Sequence, residues 1–134
     1  MRFIVGSLLL FSIFSVDDST TPRPVATHIE SIAYPGLARQ AAIQSTVNVA
    51  IIVASDGGIF SATAISGHPL FKQAVENNIR MWRFDPSSAS SRPLTVTYEF
   101  RLEAPKTNCR AESRNAFELP TKVTVISNFP EPQP

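Results

Sequence analysis

Cysteine is almost missing from this chain: Cys109 is the single one among 134 residues, so no internal disulfide can form. It reads as a free or buried thiol in preference to an intermolecular bridge. Histidine is nearly as scarce, and neither His28 nor His68 sits at metal-ligand spacing from the other or from Cys109. That excludes the familiar metal motifs, and no metal is expected. The formal net charge is only +1, with basic residues scattered along the chain, so nothing steers nucleic acid or anionic membranes toward it. No G-x-S-x-G motif occurs, and the serines at 66 and at 87–91 lack a nearby base. The carboxylates Asp56 and Asp85 flank turns, where Asp is expected for backbone bonding. No enzyme and no cofactor are expected.

A long apolar run is missing too. The uncharged stretch in "MRFIVGSLLLFSIFSV" would span about 21 Å as a helix, against roughly 30 Å of hydrocarbon. With Met1 and Arg2 ahead of it and two aspartates behind, residues 1–16 read as a secretory signal, a short uncleaved anchor being the alternative. Residues 17–31 form a polar, proline-bearing, flexible connector, and the 18 residues or so up to Tyr34 reach at most about 60 Å. The expected domain covers 32–102, and 103–134 is a C-terminal extension.

Within that domain the hydrophobic period alternates between two values. "YPGLARQAAI" opens with Pro35 in a first-turn position and sets Leu37, Ala38, Ala41 and Ala42 on one face of a short helix, near 35–42. Val47, Val49, Ile51 and Val53 alternate along a strand at 46–54, and Asp56-Gly57-Gly58 turns it into a second at 59–66. Pro69 then starts a helix over 69–82 whose Phe71, Val75, Ile79 and Trp82 share one side, with Lys72, Glu76 and Arg80 on the other. Leu94, Val96, Tyr98 and Phe100 alternate with Thr95, Thr97, Glu99 and Arg101 in a third strand at 94–102. "KVTVIS" at 122–127 carries a strand signal of its own. The expected fold class is α+β: a small antiparallel three-stranded sheet with two helices on one face, and room for a fourth strand from the tail.

The order of these elements, with "YPGLARQA", "SDGG", "SGHPLF" and "MWRFDP" in sequence, resembles the C-terminal domain of the TonB energy-transducer family over about half the chain. The resemblance implies a periplasmic, non-enzymatic module that binds a peptide of an outer-membrane receptor by adding it to a sheet edge. It points to the third strand, Thr95, Val96, Thr97, Tyr98, Glu99, Phe100 and Arg101, as that edge, and to Tyr34, Pro35, Trp82, Arg83 and Phe84 as structural anchors. The partner is a protein or peptide, an outer-membrane receptor or another envelope protein, with a homodimer left open. Transducers of this family also carry an uncleaved membrane helix and a long proline-rich stalk. Their absence here favours an exported, stand-alone form over the alternative, a membrane-anchored transducer. Where the family commonly has glycine before the first strand this chain has Ser45, a left-handed position costing about 1 kcal/mol.

Trp82 lies on the apolar side of its helix and reads as a core anchor, while Arg83 is placed to cap exposed carbonyls at the helix end. His68, just ahead of Pro69, reads as the residue that opens the helix. The tail strand is expected either to fold back onto the third strand's edge or to pack elsewhere and enlarge the core.

Overall fold

The computed structural model describes residues 23–104, 113–118 and 121–130. The expected signal sequence, the first part of the expected connector and Cys109 lie outside the described residues.

Alternation builds the centre of the sheet. In β2 (Ser45–Val53) the residues Val47, Val49 and Ile51 are fully buried, whereas Asn48, Ala50 and Ile52 between them are only half-buried. The Asp56 turn leads into β3 (Ile59–Ser66), with Asp56 Oδ1 accepting from Gly58 N–H at 2.9 Å. Gly57 is held at φ +86°, and a Cβ there would lie 2.0 Å from the Phe84 carbonyl oxygen, so only glycine fits. The helix α2 (Pro69–Arg80) follows, then β5 (Leu94–Glu103), which pairs antiparallel with β2. A one-turn helix α1 (Gly36–Gln40) precedes β2. Ala38 of α1 and Phe71, Val75 and Ile79 of α2 join the same core cluster as Val47, Val96, Tyr98 and Phe100, so both helices cover one face.

The sheet is larger than three strands, and it is mixed. Its order is β3-β2-β5-β7-β6, where β6 is Arg114–Glu118 and β7 is Lys122–Asn128. The tail strand runs parallel to β5, from Thr97 opposite Lys122 to Glu103 opposite Asn128. Hydrophobic burial drives this addition: Val123 and Val125 are fully buried, in register with Tyr98 and Phe100. The sequence "RNAFE" of β6 has no alternating apolar pattern and forms a strand because it hairpins onto β7. A second, two-stranded sheet pairs β1 (Ala26–His28) with β4 (Arg83–Phe84), so the end of the expected flexible connector is a strand.

Three local expectations change. The left-handed residue before β2 is Ala42, at φ 52°, and Ser45 is the first strand residue, its Oγ accepting from His68 N–H at 2.9 Å. Pro35 is the N-cap of α1, one place ahead of the first turn. Only Ala38 of the α1 apolar set is buried, with Leu37 69% exposed, because a single turn presents too little face to bury four side chains.

Candidate protein-interaction site

Trp82 is fully buried, and its indole N–H donates to Asn78 Oδ1, one helical turn earlier, at 3.2 Å. The Tyr98 hydroxyl donates to the same oxygen at 2.8 Å. Asn78 Nδ2 in turn donates to the carbonyls of Glu30 and Ser31, at 3.1 and 3.0 Å. One buried amide thus ties helix, sheet and N-terminal arm together, with every donor and acceptor of the amide used. Arg83 Nη1 donates to the carbonyls of Arg80 and Trp82, closing the end of α2 as a cap. Both side chains of the tryptophan–arginine cluster thus make their hydrogen bonds within the fold. Burial pushes the Tyr98 hydroxyl far above its usual range, and the Tyr34 hydroxyl up to about 12.

His68 caps α2, its Nδ1 accepting from Leu70 N–H at 3.2 Å. Among the described residues no three His, Cys, Asp or Glu side chains gather to hold a metal ion. Ser87 donates through its hydroxyl to Asp85 Oδ1 at 2.6 Å and also gives it a backbone N–H, holding that exposed carboxyl below its usual range. This is turn chemistry.

What remains is the sheet's periphery. The strand expected as the open edge, β5, is paired on both sides, and its Thr97 N–H donates to the Thr121 carbonyl at 2.7 Å. Val96, Tyr98 and Phe100 point into the core, while Thr95, Thr97, Glu99 and Arg101 lie on the face without helices. Glu99 there pairs with Arg101 at 3.6 Å and with Lys122 at 3.5 Å. The far edge, β6, is stitched to the arm: Asn115 Oδ1 accepts from Ile32 N–H, Asn115 Nδ2 donates to the Ile32 carbonyl, and Ser113 Oγ accepts from Tyr34 N–H.

Among the described residues, the edge at β3 is guarded by two side chains. The N–H of Ala64 donates to Glu76 Oε1 at 2.8 Å, and the Ala62 carbonyl accepts from Arg80 Nη2 at 3.4 Å. In an antiparallel ladder both main-chain groups of a residue point the same way, so residues 62 and 64 turn theirs outward together. Register shifts in the β2–β3 ladder fall at Phe60 and at Ile65, which are 76% and 59% exposed. Glu76 and Arg80 were legible only as members of a polar helix face. Their role depends on which strand lies beneath that face.

The described residues form a small α+β domain with two helices on one face of its sheet. Residues 30–103 match the family described as Gram-negative bacterial TonB protein C-terminal, and the chain belongs to that family. The family is one of non-enzymatic transport and interaction domains of the cell envelope. The chain matches none of the curated proteins. Among the described residues no helix is long and apolar enough to cross a membrane.

Proposed function

We propose that this is an exported, periplasmic interaction module that takes an extended segment of an envelope partner as an added strand, and that the accepting strand is β3. The observation that carries the reading is the difference in what holds the two candidate edges closed. Opening β5 means expelling β7, whose Val123 and Val125 are fully buried and worth about 1.5 to 3 kcal/mol each. The seven-residue parallel ladder adds to that. Opening β3 breaks two side-chain bonds, and even as charge-assisted bonds they contribute only about 1.5 to 3 kcal/mol each. Arg80 is exposed and its contact long, which places it at or below the low end. An incoming strand also returns partners to the Ala62 and Ala64 backbone groups. The β5 residues 95–101 become a partner surface only in a molecule that has released its tail.

The test is a titration with peptides carrying the transducer-contacting segment of outer-membrane receptors, followed by amide chemical shifts. Strand addition at β3 moves the amides of Ala62 and Ala64, and Ala64→Pro, which removes an outward N–H without touching the β2 ladder, weakens binding. Shifts confined to Thr97, Glu99 and Arg101, with loss of the β7 ladder, would show that the partner takes the tail's place.

A further inference from the structure

We infer that the β3 edge is a self-association site, on which a second copy of this chain lays its own β3 antiparallel about a two-fold axis at Thr63. The inference rests on β3 being the strand-accepting edge proposed above. It goes further by naming an occupant, and that occupant follows from self-complementarity along the edge.

With the axis at Thr63, Ala62 faces Ala64 of the second copy and Ala64 faces its Ala62. These are the residues whose main-chain groups point outward, as the bonds of Ala64 N–H to Glu76 and of Ala62 C=O to Arg80 show. Two such antiparallel pairs exchange four inter-strand hydrogen bonds. Those four replace the four side-chain bonds that guard the two separate edges, two per copy.

The pairing releases two glutamates and two arginines, and the same axis sorts them. Glu76 reaches the edge at Ala64 and Arg80 reaches it at Ala62. A two-fold axis at Thr63 brings the 64 end of one strand against the 62 end of the other. Each released Glu76 therefore meets the Arg80 of the second copy, so both charge pairs across the axis are of opposite sign. The same register sets exposed Phe60 level with Ser66 of the second copy, next to its exposed Ile65, at both ends of the contact. Charge pattern, apolar residues and backbone register all repeat under one operator, as an isologous contact requires.

Sedimentation velocity and charge reversal on the full chain test this. The protein should be dimeric within a range of roughly micromolar to millimolar. Glu76→Arg or Arg80→Glu alone places like charges at both pairs and should weaken the dimer by at least about tenfold. An equimolar mixture of the two variants restores opposite charges everywhere and should recover a heterodimer. Hydrogen exchange on the unaltered protein reads the site directly: the Ala62 amide should slow as concentration rises, and the inward Thr63 amide should not change. Single variants that associate as well as the unaltered protein, a mixture of folded variants that stays monomeric, or a dimer that leaves Ala62 unprotected would each overturn the inference. A protein monomeric at millimolar concentration, yet with Ala62 and Ala64 responding to receptor peptides, would overturn self-association and leave strand addition standing. No response to either would remove both.

Discussion

Replacing Asn78 with alanine tests the buried polar hub directly. The amide is 3% exposed and bonded to four groups, two of them donors on the fully buried Trp82 and Tyr98. Alanine leaves the indole N–H and the phenol O–H without their acceptor, at about 1 to 3 kcal/mol each. It also leaves a small cavity, which adds a few tenths to about 1 kcal/mol. The carbonyls of Glu30 and Ser31 lie nearer the surface, where water can replace the lost donors. The expected loss is about 2 to 7 kcal/mol, a large share of the roughly 5 to 15 kcal/mol typical of a domain. Tyr98→Phe should cost only about 1 kcal/mol, because Asn78 Oδ1 keeps its bond from Trp82 and no donor is orphaned. Urea unfolding followed through Trp82, the only tryptophan, gives both midpoints directly. Asn78→Asp adds a sign: it keeps the acceptor but turns a carboxylate toward two carbonyls, so burial raises its folded pKa above the unfolded value. The variant should then lose stability as pH rises through the carboxylate range and regain it in acid. Equal midpoints for Asn78→Ala and Tyr98→Phe would refute the shared-acceptor reasoning.

Trp82→Ala should cost about 3 to 5 kcal/mol and Arg83→Ala well under half of that, measured by circular dichroism, since one empties the core and the other removes a cap. Ala42→Gly should stabilise by roughly 0.5 to 1 kcal/mol in the same assay, because it relieves a left-handed alanine at φ 52°. Both tyrosines have folded pKa values raised by burial, so stability is intact below about pH 10, the unfolded value, and falls above it as the unfolded chain ionises. Tyrosinate absorbance should therefore appear with alkaline unfolding and show no separate native step near pH 10. Deleting residues 113–134 should speed hydrogen exchange at Thr97, Glu99 and Arg101, whose amides face β7, far more than at Val96 or Tyr98, which face β2.

The elements with a strong period were legible in the sequence: β2, β3, α2 and β5 lie within two residues of the expected ranges, because a two- or 3.6-residue repeat of branched and aromatic side chains has only one burial solution. "KVTVIS" also announced a strand, but local pattern does not name a neighbour, and its parallel pairing with β5 appears only once the core face is assembled. β6 and β1 carry no pattern because they are recruited by partners already in place. Asn78 carries a signal of its own: it is a lone polar residue on the stripe of Val75, Ile79 and Trp82, one turn before an indole that needs an acceptor. The guard at β3 could not be read at all without topology, since Glu76 and Arg80 look like any solvated helix face.

The stitch between Ile32 and Asn115 carries a consequence for how the chain acquires its shape. It joins positions 83 residues apart, and β7 enters the sheet between two strands that precede it in the chain. Hairpin β2–β3 and helix α2 can form from neighbours, but the clasp on the arm must wait for the far end of the domain, after the entropy of a long loop has been overcome. A nascent chain that has emerged only as far as Glu103 holds an unfilled row of β5 amides and a core missing Val123 and Val125. Commitment to the native state is therefore expected at the last strand, which fills the β5 amides and buries Val123 and Val125.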